Sequence, residues 1–282
     1  MSDDPADVDL VKFPPEQPAR LGGQQRRLLV PLGIGTVLVL ALVGAYIYLQ
    51  APARDAAPPP VRAEPSQAAR PAERGDEIPL PPLDETDALV RELVGRLSSY
   101  PVIAAWLTTD GLIVNFTAVT TRIANRDNIA QELRAIGPVA PFRPRPLRDD
   151  LFVDPASYER YDRYAGAVSS VDARGAARLY ATLEPRILDA SRRISPGVDD
   201  FDPILERAIV ELLRVPIVEA EIELVPRGIV YGYADPRLEA LSPAQKHLLR
   251  MGPQNIQTIQ RKLRDIADYL AIPASRLPAG SR

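Results

Sequence analysis

Apolar positions divide the chain into four stretches of different pattern. Residues 1–27 show no apolar period, which is typical of a disordered tail. Leu28–Leu49 is a continuous apolar run without a charge. Residues 50–83 are rich in Ala, Pro, Arg and Glu, a composition that predicts an extended linker. Residues 84–272 place apolar side chains three or four positions apart, which predicts amphipathic helices in one soluble domain.

The uncharged run Leu28–Leu49 predicts a single transmembrane helix. At about 1.5 Å per residue it would span about 33 Å, enough for a hydrocarbon core of about 30 Å. The flanking cations are more frequent before the run than after it: Lys12, Arg20, Arg26 and Arg27 against Arg54 and Arg62. The positive-inside rule then places the N-terminus in the cytoplasm and the C-terminal domain on the other side. A signal peptide cleaved near Ala53 is the alternative.

Proline and polar residues mark helix starts in the C-terminal domain. Asp154-Pro155, Asp202-Pro203 and Ser242-Pro243 each place a capping side chain before a first-turn proline. Apolar spacing predicts further helices over residues 84–99, 101–107, 112–123, 127–136, 172–187 and 253–270. In residues 112–123 the β-branched side chains favour a strand and the period favours a helix; we follow the period.

Two segments instead predict short hairpins. The first pairs Phe142–Arg145 with Leu151–Val153, and the second lies within Glu221–Ala234 around a turn at Pro226-Arg227-Gly228. The predicted fold class is therefore a mainly α, compact multi-helix soluble domain with one or two short β-hairpins, preceded by a single transmembrane helix. Residues 273–282 are predicted to be a disordered tail.

Composition excludes several classes of chemistry. The chain has no cysteine and a single histidine, His247, which excludes thiolate sites and leaves little room for a zinc site or a histidine triad. A net charge of −3 gives no nucleic-acid signature. No phosphate-binding, nucleophile-elbow, zinc-protease or EF-hand motif is present. We therefore predict no catalytic, cofactor-binding or metal-binding residue and expect no nucleic-acid partner.

Two groups of side chains remain as candidates. The first is an acidic group, Asp199, Asp200, Asp202 and Glu206, which we interpret as helix capping rather than as a cation site because EF-hand spacing is missing. The second is a set of tyrosines, arginines and their neighbours, residues typical of protein interfaces: Tyr158, Tyr161, Tyr164, Arg227, Tyr231, Tyr233, Asp235, Arg237, Arg250 and Asn255. The alternative for this second group is packing and local salt bridges.

Several extended stretches resemble one bacterial family. They read LPPLDETDALVRELV, FVDPASYERYD, ARLYATLEPRI, FDPILERAIVELL and LVPRGIVYGYADPRLEALSPAQKHLLRMGPQNIQTIQRKL. Together they resemble domain-of-unknown-function family 3014 over about Leu80 to Ile272. The resemblance implies a membrane-anchored bacterial protein of a Gram-negative envelope, and it implies no activity and no catalytic residues.

The function expected from these observations is an interaction or scaffold module of the bacterial envelope. Its expected partners are the lipid bilayer through Leu28–Leu49, an unidentified envelope protein or peptidoglycan, and a second copy in a homo-oligomer. One alternative is a peptidoglycan hydrolase, which needs two carboxyl groups about 5–9.5 Å apart across a cleft. The other is a DNA-binding regulator, because Ser242–Leu270 has the helix–turn–helix order.

Overall fold

A computed structural model describes residues 75–95, 100–133, 137–138, 140–228 and 230–280. Its α-helices, in chain order, are α1 (Asp87–Gly95), α2 (Pro101–Trp106), α3 (Leu112–Ala124), α4 (Ala130–Leu133), α5 (Ala156–Glu159), α6 (Asp162–Ser169), α7 (Ala173–Ile194), α8 (Asp202–Leu213), α9 (Pro236–Glu239), α10 (Pro243–Leu249) and α11 (Pro253–Tyr269). Short 3-10 turns lie at Leu83–Glu85 and Ala274–Arg276.

The strands form one antiparallel sheet in the order β1 (Pro144–Leu147), β2 (Asp150–Val153), β3 (Glu223–Arg227) and β4 (Val230–Tyr233). Each hairpin turns through two residues. The hairpins join because β2 pairs with β3, with Leu151 opposite Leu224. Both turns therefore lie at the same end of the sheet, although about 80 residues of chain separate them.

The hydrophobic core lies where α3, α7, α8 and α11 pack together. α3 contacts both α7 and α8, and α11 contacts α6, α7 and α8. The largest fully buried side chains of the described residues include Trp106, Phe201, Ile209 and Ile256. Four amphipathic helices can share one core in this way because each presents a continuous apolar stripe.

Ser242 caps the helix that it was predicted to start, whereas Asp202 does not, because α8 begins at Asp202 and has no side-chain cap. Asp172 accepts hydrogen bonds from the backbone of Arg174 and Gly175 at the start of α7. Ser242 and Gln245 form a reciprocal capping box at the start of α10. These contacts satisfy first-turn N–H groups that have no partner inside the helix.

The C-terminal end of α8 is buried, and its carbonyl groups depend on two glutamine side chains. Gln260 Nε2 lies 3.2 Å from Leu212 O, 3.3 Å from Leu213 O and 2.9 Å from Val215 O. Gln245 Nε2 donates to Glu211 O at 3.2 Å. Since the last carbonyls of a helix have no partner within it, these amides replace the water that would otherwise be needed.

Residues 75–82 lie along α7 as an extended strap. The Asp76 N–H donates to Thr182 Oγ1 at 2.8 Å, and Arg186 donates to Leu80 O at 3.1 Å. Gly75 touches the α7 backbone so closely that a Cβ there would lie 2.4 Å from Thr182 N. Contacts with the helical core therefore begin within the segment that composition alone suggests is linker.

The predicted fold class is wrong in two respects. The two hairpins are not separate: they form a single four-stranded sheet, because β2 and β3 pair across the chain. None of the helices in the described part of the chain combines the length and apolarity that crossing a membrane requires. The predicted segment Leu28–Leu49, the tail 1–27 and residues 50–74 lie outside the described residues.

One predicted helix is divided in two. Apolar spacing after Asp154-Pro155 suggests one helix, whereas the structure has α5 and α6 with a turn between them. Arg160 Nε donates to Ser157 O at 2.7 Å, the carbonyl that a continuous helix would pair with the Tyr161 N–H. The Tyr161 N–H donates to Tyr158 O instead, at 2.9 Å.

Two further predictions of helix extent were too long. The helix predicted over residues 84–99 is a 3-10 turn followed by α1, and residues 96–99 lie outside the described part. The helix predicted over residues 127–136 is the single turn α4, and residues 134–136 likewise lie outside. At the start of α4 the Asn128 side chain accepts the Ala130 N–H at 2.8 Å, so the helix begins after Asn128.

We expect Gln260→Met to lower the free energy of unfolding by about 2–4 kcal/mol, because it leaves buried carbonyls without a donor at nearly constant volume. Urea unfolding monitored by circular dichroism measures the change. Gln257→Met, a half-exposed position of the same helix, is the matched control and is expected to change stability by less than about 0.5 kcal/mol. Equal effects of the two substitutions would contradict a capping role for Gln260.

Candidate functional site

The ten predicted interaction residues come from four separate elements. Tyr158, Tyr161 and Tyr164 lie in or beside α5 and α6; Arg227, Tyr231 and Tyr233 lie on β3 and β4; Asp235 and Arg237 begin α9; Arg250 and Asn255 flank the junction of α10 and α11. The structure brings many of them together on one side of the sheet. Some of these ten side chains are buried in the structure, and the others are half-buried or exposed.

The tyrosines closest to the core form a packed group around Arg250. Burial raises the pKa of Tyr158 to about 12, with the neighbouring Tyr233 as the second cause. Burial likewise raises the pKa of Tyr161 and of Tyr233, although Arg250 opposes it by its charge in both cases and by a hydrogen bond to Tyr233. These hydroxyl groups are neutral at physiological pH and stabilise packing.

Asn255 is buried, and its side chain connects the start of α11 to α5 and α6. Its Nδ2 lies within hydrogen-bond distance of Tyr158 O (3.3 Å), Asp162 Oδ1 (2.9 Å) and Met251 O (2.9 Å). Beside it Gly252 has φ +83°, and a Cβ there would lie 2.4 Å from Tyr158 Cγ. The start of α11 is thereby fixed against α5 and α6.

Tyr164 and the pair Asp235–Arg237 also have local roles. Tyr164 is buried, and Arg163 covers its ring and donates to its hydroxyl group at 2.7 Å. Asp235 caps α9 through the Arg237 N–H and forms an ion pair with the Arg237 side chain at 3.2 Å. Arg227 and Tyr231 remain as the exposed residues of the predicted surface that lie on the sheet.

Exposed apolar side chains also lie at the end of the sheet where both hairpins turn. Among the described residues, the exposed large hydrophobic side chains are Leu147 (38%), Val230 (58%), Tyr231 (39%) and Ile194 (40%). The first three lie on the hairpins, and we call this region the hairpin end. The sequence analysis did not select Leu147 or Val230, because nothing local distinguishes an exposed strand residue from a buried one.

The sheet has a core face and a solvent face. Val153, Leu224 and Tyr233 are buried on the core face. The solvent face, which we call the outer face, carries apolar and charged side chains, as the alternation along each paired strand requires: Leu147, Phe152, Val225 and Val230 together with Arg145, Asp150, Glu223 and Arg227. Phe152 and Val225 are half-buried yet do not join the hydrophobic core.

Proline closes one edge of the sheet, and a carboxylate covers part of the other. On β1 the Asp154 N–H donates to Arg143 O, so Pro144 and Pro146 fall at the positions whose nitrogen atoms point away from β2. Proline has no N–H to offer another strand. On β4 the outward N–H of Tyr233 is bound to Glu239 Oε2 at 3.0 Å. Strand addition at β1 is therefore disfavoured, whereas on β4 Glu239 covers only the Tyr233 end of the edge.

A second feature is an acid-lined cleft of about 480 Å³ between α7, the start of α8 and residues 269–273. Its lining includes Tyr180, Glu184, Asp200, Asp202, Glu206 and Tyr269. The Tyr180 hydroxyl donates to Asp202 Oδ1 at 2.5 Å, and Arg276 forms an ion pair with Glu206 at 2.9 Å. The cleft volume is in the range of small-ligand sites.

One carboxyl group of the cleft, that of Glu184, has a raised pKa. Burial raises the pKa of Glu184, and the charges of Asp202 and Asp200 raise it further. Asp200 accepts the Asp202 N–H at 2.9 Å, consistent with the capping role predicted for this group. The sequence analysis missed Glu184, which lies on a different helix.

The described residues contain no candidate metal cluster, and burial shifts the pKa of the single histidine. In the described part of the chain no group of three or more His, Cys, Asp or Glu side chains could hold a metal ion. His247 is half-buried, and burial, together with the charge of Arg250, lowers its pKa to about 4. It is therefore neutral at physiological pH.

Comparison with family models identifies the chain. Residues 112–267 match the model described as "Protein of unknown function (DUF3014)", and the chain belongs to this family. The matched range includes α3 to α11 and the whole sheet, so both candidate sites lie mainly within it. Neither the curated proteins nor the solved structures gave a match. The family supplies no activity.

We expect opposite pH effects at two carboxyl groups. The pKa of Glu184 is raised above its ordinary 4.5, so its ionised form costs stability once the pH exceeds the raised pKa. Glu184→Gln should therefore raise the melting temperature at pH 7 and leave it unchanged at pH 3. Thermal unfolding followed by circular dichroism at both pH values tests this.

Glu239 is the matched comparison. Its pKa is lowered, first by the hydrogen bond from the Tyr233 N–H and then by Lys246. The ionised form therefore adds stability above pH 4.5, and that stability is lost as the pH falls through the lowered pKa. Glu239→Gln should lower the melting temperature at pH 7 and have less effect toward pH 3. The same sign for both variants at pH 7 would refute this assignment.

Proposed function

We propose that the domain is a protein-interaction module that binds its partner through the hairpin end and the adjoining outer face. The observation that carries the proposal is that three of the four exposed large hydrophobic side chains of the described residues lie on the two hairpins: Leu147 on β1, and Val230 and Tyr231 on β4. Arg227 pairs with Val230 in the same hairpin, and tyrosine and arginine are typical anchors of protein interfaces.

The composition of this surface also supports the proposal. Arg227 is exposed, with only a loose contact to Glu239 at 3.7 Å, so its guanidinium group is available to a partner. Phe142 packs against Tyr231 with ring centroids 5.9 Å apart, and this contact restricts the motion of the exposed Tyr231 ring. A rigid aromatic anchor loses little conformational entropy on binding.

The DNA-binding alternative is not favoured by the packing of α11. A recognition helix must present one face to the major groove. α11 instead packs against α6, α7 and α8, and its exposed positions mix Gln254 and Arg261 with Asp265 and Asp268. The envelope location, peptidoglycan and the bilayer as partners stay predictions from the sequence.

We expect the double substitution Leu147→Asp with Val230→Asp to abolish partner crosslinking in cells, because it puts two charges into an apolar contact. In-cell crosslinking of the full-length chain followed by co-purification measures the loss. Ile194→Asp is the matched control, since Ile194 is equally exposed but lies at the end of α7. If both proteins keep the same crosslinks and the same fold, the hairpin end is not the interface.

A second candidate function is hydrolysis of a glycan in the acid-lined cleft, and the raised pKa of Glu184 beside Asp202 favours it. Glu184 would donate a proton to the glycosidic oxygen. Asp202 would accept a proton from the attacking water as that water bonds to the sugar carbon.

The hydrolase candidate predicts that Glu184→Gln and Asp202→Asn each remove at least 99% of activity, as expected for a lost acid or base worth about 10²–10⁴ in rate. The measurement is release of reducing sugars from purified peptidoglycan by the full chain. Asp189→Asn, on α7 but paired with Arg186 outside the cleft, should retain activity. Absence of turnover by the unsubstituted chain would eliminate this candidate.

A further inference from the structure

A row of aromatic rings and a guanidinium group leads from the hairpin end to the start of α6. The rings of Tyr231 and Phe142 lie 5.9 Å apart. The Arg160 guanidinium lies 5.8 Å from the centre of the Phe142 ring and 5.2 Å from that of the Tyr161 ring. Tyr231 is exposed and the other three are half-buried, so each keeps part of its surface in solvent. The ring contacts hold Arg160 in place and leave its charge intact.

Arg250 brings a second guanidinium group to the same tyrosine from another element. It is exposed, it directly follows α10, and it forms a hydrogen bond with the Tyr233 side chain. Burial raises the pKa of Tyr161, and the charges of Arg160 and Arg250 both oppose that rise. The two guanidinium groups therefore lie close enough to act on one hydroxyl group. We call Tyr231, Phe142, Arg160, Tyr161 and Arg250 the cation row.

No carboxylate of the described residues neutralises these two cations. Arg160 donates from Nε to Ser157 O at 2.7 Å and from Nη1 to Ala140 O at 2.8 Å, and carbonyl groups carry no net charge. Neither Arg160 nor Arg250 forms an ion pair within the part of the chain that the structure describes. No carboxylate is among the groups whose charges shift the pKa of Tyr161. The cation row thus keeps two positive charges without a partner.

Two carboxylates of neighbouring residues have other partners. Glu239 accepts the Tyr233 N–H at 3.0 Å and pairs with Lys246 at 3.2 Å. Asp162 follows Tyr161 in the chain, but its Oδ1 lies 2.9 Å from Asn255 Nδ2. An anionic group brought by a partner would therefore be the first to pair with Arg160 and Arg250.

We propose that the cation row receives an acidic segment of the partner protein, with carboxylates of that segment on Arg160 and Arg250. The proposal rests on the interaction function proposed above and names the chemistry of the partner. Charge complementarity selects this occupant, because guanidinium and carboxylate groups form strong charge-assisted hydrogen bonds. The half-buried rings beside the cations lower the local polarity, which strengthens such a pair relative to one in water.

Peptide binding tests the chemistry of the occupant. The probe is a short fluorescent peptide of alternating glutamate and glycine, and its control carries glutamine in place of each glutamate. The full chain should raise the fluorescence anisotropy of the glutamate peptide alone. This binding should weaken as the ionic strength rises from about 0.01 M to about 0.15 M, which shortens the Debye length from about 30 Å to about 8 Å. Equal binding of the two peptides overturns the proposal.

Substitution tests the two arginines. Arg250→Gln and Arg160→Gln should each weaken binding of the glutamate peptide about tenfold, since each removes a hydrogen bond between charged groups. Arg250→Gln decides the test if Arg160→Gln does not fold, because Arg160 also binds two backbone carbonyls. Arg261→Gln, at an exposed arginine of α11, is the matched control and should bind like the original chain. Equal losses in Arg250→Gln and Arg261→Gln overturn the site.

Phosphate is the competing anion, and the same variants separate it from a carboxylate. Inorganic phosphate and vesicles of phosphatidylglycerol are offered to the original chain and to Arg250→Gln. Equal behaviour of the two proteins toward both probes, together with loss of the glutamate peptide in Arg250→Gln, supports the acidic segment. Binding of phosphate or vesicles that Arg250→Gln abolishes, without binding of the glutamate peptide, overturns it.

In-cell crosslinking separates this inference from the proposed function. Arg250→Gln should weaken the crosslink that Leu147→Asp with Val230→Asp is expected to abolish, and circular dichroism establishes that each variant is folded. If the hairpin-end variant loses the crosslink and Arg250→Gln keeps it in full, the interaction function stands and the acidic segment is overturned. If both folded variants keep the crosslink, both proposals fail.

Discussion

The buried end of α8 is the constraint on which the rest of the domain depends. Its last carbonyl groups lie in the core, where each needs a hydrogen-bond donor or costs about 1–3 kcal/mol. Gln245 and Gln260 supply the donors, and they come from α10 and α11. The hydrogen bonds to the end of α8 therefore hold α8, α10 and α11 together. Because α11 also packs on α6 and α7, the same contacts limit where those two helices lie.

The position of the sheet follows from the same arrangement. β4 leads into α9 and then α10, so fixing α10 on α8 limits where the second hairpin can lie. The first hairpin pairs with it and buries Val153 and Leu224 against the helices. Among the described residues, no helix covers the apolar side chains of the opposite face. The exposed outer face is a consequence of covering a four-stranded sheet from one side only.

Local structure was predictable where a few neighbouring residues decide it. The helical spacing of α3 prevailed over its β-branched composition because Ile113, Phe116 and Thr120 all face the core. Capping at Asp172 and Ser242 was predictable because the partners lie within three residues. The division of α5 from α6 was not, because it depends on Arg160 bonding both Ser157 and Ala140, and the latter lies twenty residues away.

The sequence by itself determined the capped start of α10, both hairpin turns, the family resemblance and the absence of common catalytic motifs, because each is a short-range or compositional property. Only the tertiary structure decided which tyrosines are buried, that Glu184 lies close enough to Asp202 to feel its charge, and that the two hairpins join in one sheet. Those relations join residues separated by tens of positions. Periodicity shows which side of an element is apolar, but it does not show which other element will cover that side.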